Sequence, residues 1–171
     1  MTRYELHQLQ DLLIDHHVDQ IVYDQLTKLP KPDFRAQKVS DDLTLDDIST
    51  VLSDGLSYAL AFDDVDYDSS DYFEAKDKLI KEGADENELT VEDIQAKMLV
   101  MGFKLKLHEV DVGWHDLTLE KFINGINLSL KEFEDKGMTR LGAISRLLDE
   151  GDFYDYEGVL QNAIFGKVIY G

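Results

Sequence analysis

The sequence predicts a mainly α-helical protein, a compact bundle of six to eight helices with at most a small β element at about residues 103–110 and 167–170. Three observations lead there. Apolar residues recur at three- and four-residue spacing through most of the chain, as in helices with one buried face. Three of those stripes follow near-identical helix-start sequences. Only two short runs look like strands. A chain of 171 residues, 43% hydrophobic, is long enough to bury a core as a single domain.

Taken in order, residues 3–28 read as a helical arm. Leu6, Leu9 and Leu13 form one stripe, and Ile14, Val18, Ile21, Val22 and Leu26 continue it with a slight rotation. The slip falls at Asp15-His16-His17. The only two prolines, Pro30 and Pro32, end the helix and open a connector over 29–40.

A helix-start pattern then occurs three times, at Leu43-Thr44-Leu45-Asp46-Asp47-Ile48, Leu89-Thr90-Val91-Glu92-Asp93-Ile94 and Leu117-Thr118-Leu119-Glu120-Lys121-Phe122. The threonine is the expected N-cap, whose hydroxyl accepts a free backbone N–H. Asp46, Glu92 and Glu120 complement the helix dipole. Asp47 and Asp93 stand at the capping-box position, which Lys121 breaks in the third copy. The copies are unevenly spaced, so three similar caps account for them better than a duplicated module.

The stripes that follow are Ile48, Val51, Leu52, Gly55, Leu56 and Ala59; Val91, Ile94, Met98 and Met101; Phe122, Ile123, Ile126, Leu130 and Phe133; Leu141, Ile144, Leu147 and Leu148; and Val159, Leu160, Ala163 and Ile164. Gly55 leaves room for another helix to approach. Gly102, Gly137, Gly151 and Gly166 are the expected stops. A further helix is expected at about 71–82. Residues 103–108 alternate with period two, and Lys167-Val168-Ile169-Tyr170 is the other β-like run, so the two are expected to pair.

Charge is the strongest functional signal. The chain has 36 acidic and 17 basic residues, a formal net charge of −19. Residues 41–95 hold 18 of the acidic side chains and only three lysines, Lys76, Lys78 and Lys81. Such a field repels nucleic acid and acidic membranes, and attracts cations and basic protein surfaces. With no cysteine, disulfides, thiol catalysis and cysteine-ligated metals are excluded. No apolar run approaches a membrane span and none at the start resembles a secretory signal, so a cytoplasmic protein is expected. Phosphate-binding glycine loops and the nucleophile elbow of hydrolases are absent from the sequence.

Two segments invite a metal reading. Asp64, Asp66 and Asp68 fall at positions one, three and five of a calcium-loop register, but Ser69 replaces the glycine at six and Ala75 the glutamate at twelve. Weak divalent-cation binding is all this pattern supports, and no cofactor is expected. His108-Glu109-Val110-Asp111-Val112-Gly113-Trp114-His115-Asp116 mixes potential ligands, yet an extended chain turns His108 away from Glu109 and Asp111. It reads as a polar connector with Trp114 packed on the core. Asp15-His16-His17-Val18-Asp19 offers no convergent site on a helix.

Aromatic residues interleave the acidic block: Tyr58, Phe62, Tyr67, Tyr72 and Phe73, of which Tyr58 and Phe73 fall at core-like positions. Carboxylates with aromatics among them suit a surface that holds a basic protein. The expected function is therefore that of a non-catalytic acidic interaction protein of inhibitor, immunity or DNA-mimic type. Its partner-binding residues are expected to be Asp63, Asp64, Asp66, Tyr67, Asp68, Asp71 and Tyr72. A structural homo-oligomer is the second reading, and a metal-dependent enzyme built on carboxylates and histidines the third.

Overall fold

The computed structural model describes residues 33–40, 42–57 and 59–171. The expected helical arm over 1–28, with its Asp15-His16-His17-Val18-Asp19 segment, lies outside the described residues, as do the two prolines and Tyr58. Among the described residues there are six α-helices: α1 (Leu45–Ser57), α2 (Ser69–Lys81), α3 (Val91–Val100), α4 (Leu119–Asp135), α5 (Arg140–Ile144) and α6 (Phe153–Phe165). A three-residue 3-10 turn, Phe34–Ala36, precedes α1, and α5 widens into a π-helical turn over Ser145–Asp149. Three short strands, β1 (Phe62–Asp66), β2 (Leu105–Glu109) and β3 (Gly113–Leu117), form one antiparallel sheet in the order β1-β2-β3. The fold is mainly α, as the stripes predict.

The helices begin where the caps predict. Thr44 and Asp47 exchange hydrogen bonds at the start of α1, and Thr90 and Asp93 form a full capping box on α3. The Thr118 hydroxyl accepts the Lys121 N–H at α4. Helix α6 packs between α1 and α4, while α3 packs on α1 and carries α2. Where α1 meets α6, Gly55 faces the Tyr156 backbone so closely that a Cβ would lie 3.0 Å from it. The helical stripes and the inner face of the sheet join in one apolar cluster, with Phe62, Phe122, Ile48 and Leu107 among its fully buried members. Among the described residues no helix is long and apolar enough to cross a membrane.

Polar side chains fasten the pieces at long range. Glu157 of α6 is buried, and its Oε1 accepts the backbone N–H groups of Leu60 and Ala61 at 2.6 and 2.8 Å, fixing the entry to β1. Replacing Glu157 by alanine strands both donors, and is expected to cost about 2 kcal/mol. Urea unfolding should show a lower midpoint at unchanged slope, with Glu157→Gln, which keeps an acceptor oxygen, close to wild type. Residues 33–37 are fastened to the folded body at three points. Phe34 is buried, Arg35 Nη2 reaches Asp93 Oδ2 at 2.8 Å, and Gln37 Oε1 accepts from the buried Lys97 ammonium at 2.9 Å. Lys97 also pairs with Glu82 at 2.7 Å.

Three expectations need correction. Residues 167–170 are not a strand. Strand β2 has β1 on one side and β3 on the other, so it has no edge left to pair. The backbone of Ile169 and Tyr170 bonds instead to the Gln161 side chain, whose Oε1 accepts both N–H groups at 2.8 Å and whose Nε2 donates to the Tyr170 carbonyl at 2.9 Å. Residues 108–116 are a β-hairpin, not a connector. Its turn places Asp111 at φ 62°, a left-handed conformation that aspartate tolerates better than most residues. Trp114 and Phe73 are surface residues, 48% and 61% exposed, because β3 turns Trp114 to the outer face and only Ala75 and Leu79 of α2 are buried.

Candidate functional site

The candidate partner-binding residues begin on strand β1. On the β2 side, Asp64 stands opposite His108, Val65 opposite Leu107 and Asp66 opposite Lys106, with an irregularity in register between Phe62 and Asp64. No described strand lies on the other side of β1. The period of two puts Val65 with Leu107 on the inner face, and Asp64 and Asp66 outside with His108, Trp114, Lys106 and Asp116. Phe62 is buried and stacks on Phe165 with ring centroids 5.7 Å apart.

The candidate residues divide by task. Asp63 Oδ1 lies 2.6 Å from His108 Nδ1, and Asp66 Oδ2 lies 3.4 Å from Lys106 Nζ. These are surface pairs, each contributing about 0–1 kcal/mol. Asp64 Oδ1 accepts the backbone N–H of its neighbour Val65 at 2.8 Å. Asp68 is the N-cap of α2 and accepts the Ser70 N–H at 2.8 Å. The Ser70 hydroxyl and N–H together hold the Asp68 carboxyl below its usual range. Asp71 lies in the first turn of α2. Tyr67 and Tyr72 stack at 5.1 Å, and Phe73 meets Tyr72 edge-on at 5.7 Å. Partial burial, with Tyr72, Glu92 and Asp66 nearby, raises the Tyr67 phenol. The chain that reads as a calcium loop is thus a strand followed by a helix cap.

A groove of about 320 Å³ runs along β1. Leu56 of α1 and Val91 and Gln95 of α3 line it together with Phe62, Asp63, Asp64, Val65 and Tyr67. No residue of β2 or β3 lines it, which places it at the edge of β1 that no described strand covers. Gln95 is 5% exposed, yet its amide makes no hydrogen bond within the described protein. No side-chain polar atom among the described residues is both sealed and unpartnered, so this amide opens on the groove. Gln95 does not stand out in the sequence, since a lone glutamine on a helix carries no pattern.

The hairpin separates the potential ligands of the His108–Asp116 segment. His108, with its ring 4.8 Å from Trp114, and Asp116, paired with Lys104 at 2.7 Å, face out. Glu109 and His115 face in. Among the described residues no three histidine, aspartate or glutamate side chains are grouped to hold a metal. Glu109 instead takes the Tyr170 hydroxyl on one oxygen and lies 2.6 Å from His115 Nε2 on the other. Those two bonds lower the Glu109 carboxyl, and the bond to Glu109 raises the Tyr170 phenol. The cluster is a clasp between the sheet and the last residues, invisible to sequence reading because Tyr170 is 61 positions from Glu109.

No family model matches the chain, and neither a curated protein nor a solved structure is significantly similar to it.

Proposed function

We propose that this protein is a non-catalytic acidic interaction protein that binds a basic surface on a partner protein through its 41–95 segment. The observation that carries the reading is the run of rings Tyr67, Tyr72 and Phe73. It leads from the end of β1 onto the open face of α2 among Asp68, Asp71, Glu74 and Asp77. An aromatic that stays 61% exposed beside four carboxylates supplies contact area where charge alone would give steering without grip. The basic partners of β1 are exposed and exchangeable, so an incoming lysine or arginine can replace them at little cost. Inhibitor, immunity and DNA-mimic roles all follow this chemistry.

The test uses immobilised protein and host extract at low salt, eluted by salt steps. A basic protein should be released, with affinity falling at least about tenfold between about 0.02 and 0.3 M ionic strength as screening sets in. Changing Asp63, Asp64, Asp66 and Asp68 to asparagine should abolish capture. Asparagine caps helices about as well as aspartate, so this variant keeps the α2 cap. Capture that ignores both salt and the four substitutions would sink the reading. Homo-oligomerisation through β1 is opposed by the like charges that two copies of this edge would bring together.

A further inference from the structure

The groove at the edge of β1 specifies more than negative charge. Three features converge there. The strand has no described neighbour on its outer side, and the Val65 N–H is bonded to the Asp64 carboxylate, a side chain that can rotate away. Gln95 is 5% exposed overall and turns to the groove an amide with no hydrogen-bond partner among the described residues, which can both donate to and accept from a peptide group. Leu56, Val65 and Val91 supply an apolar wall, while Asp64 and Asp66 stand on the opposite, outer face of the strand.

We infer that this groove binds a partner's extended segment in which basic and apolar residues alternate, added as a further strand on β1. The inference rests on the interaction reading above and deepens it. Strand addition takes main-chain hydrogen bonds for affinity and alternate side-chain positions for specificity. A strand laid along β1 turns every second side chain outward beside Asp64 and Asp66, where lysine or arginine fits. The intervening residues turn inward toward Leu56, Val65 and Val91, where valine or leucine fits. The incoming carbonyl displaces Asp64 from the Val65 N–H, and an arriving cation compensates the freed carboxylate. Gln95 gains the partner it lacks. A second copy of β1 cannot serve, because it would lay aspartates against aspartates.

The test is direct titration of the whole protein with a capped Lys-Val-Lys-Val-Lys-Val-Lys peptide at low salt. A second peptide has the same sequence with alternate backbone nitrogens methylated, which keeps every charge and removes donors from one edge. The two registries of methylation are tried in turn. Methylation in one registry should weaken binding at least about tenfold, and in the other much less. Val91→Trp fills the groove at a 44% exposed position without altering charge, and should also weaken binding about tenfold. Gln95→Ala, checked for native circular dichroism, should weaken it about threefold to tenfold.

Equal binding of all the peptides, unaffected by Val91→Trp, would overturn the groove and leave the charge-based reading standing. Absence of binding by any of them would overturn the groove too, with salt-dependent capture from extract still able to support the charge-based reading by itself. Self-association of the protein that Val91→Trp abolishes would overturn it in favour of a second copy.

Discussion

Replacing Asp93 by alanine is expected to cost about 3 kcal/mol, a large share of the roughly 5–15 kcal/mol that holds a typical domain together. Asp93 is 2% exposed and holds three groups at once. Its carboxylate takes the Arg35 guanidinium at 2.8 Å, the Ser49 hydroxyl at 3.0 Å and the Thr90 N–H at 3.0 Å. Alanine leaves all three without that partner and ends the capping box of α3. The cost stays at the lower end for a broken buried pair because the Arg35 side chain is 34% exposed and recovers water. Asp93→Asn keeps an acceptor for Ser49 or Thr90 and should lose about half as much.

The same carboxylate makes stability depend on pH. Burial pushes the Asp93 carboxyl up, but the hydrogen bonds from Arg35, Thr90 and Ser49 outweigh it and hold the group below its usual range. A carboxyl depressed in the folded state stabilises the fold above its unfolded value, and that contribution disappears as pH falls through the folded one. Wild-type stability should therefore drop from about pH 5 downward, and Asp93→Ala should show a shallower acid slope. Urea midpoints measured between about pH 2 and 7 read both, and parallel slopes would contradict the assignment.

Gly125→Ala is the second large effect, again about 3 kcal/mol, or roughly 6–12 °C in Tm. Helices α4 and α6 cross at this residue. A Cβ there would sit 2.4 Å from the Val159 carbonyl oxygen, 2.8 Å from the Ala163 Cβ and 2.9 Å from the Ala163 backbone nitrogen. Two of these three atoms belong to backbone, which cannot swing aside as a side-chain tip does, so the helices must separate. Gly158→Ala is the control on the same pair of helices. Its Cβ would meet only Val168 Cγ2, at 3.7 Å, so improved helix propensity should raise stability by about 0.5–1 kcal/mol. Calorimetry of both variants separates a steric cause from a general intolerance of change in α6.

Much of the helical framework was legible because each helix carries its own start, stripe and stop within some fifteen residues. Thr90, Asp93, Ile94, Met98 and Gly102 announce α3 without reference to any other part of the chain. The sheet was legible only in β2, whose Leu105 and Leu107 alternate with polar residues. Strand β1 reads Phe-Asp-Asp-Val-Asp, a sequence poor in strand formers that is extended because β2 pairs with it. Strand β3 reads Gly-Trp-His-Asp-Leu, whose outer face is solvated, and its turn lacks an Asn-Gly or Asp-Gly signal. The acidity of the candidate site was plain, but its surroundings were not. Lys106 and His108, which pair with Asp66 and Asp63, lie 40 and 45 positions away, and the outer edge of β1 exists only once the sheet has formed.

Gln161 uses one amide where a neighbouring strand would use a whole peptide backbone to bind Ile169 and Tyr170. A side chain can let go by rotating, whereas a strand must leave a sheet. The amide protons of Ile169 and Tyr170 should therefore exchange with solvent through a local opening that leaves the helices intact, well before those of α6. That opening carries the Tyr170 hydroxyl away from Glu109 and hands the inner carboxylate to water. The final residues act as a latch on the sheet's underside, and their release has its own, smaller energy scale than unfolding.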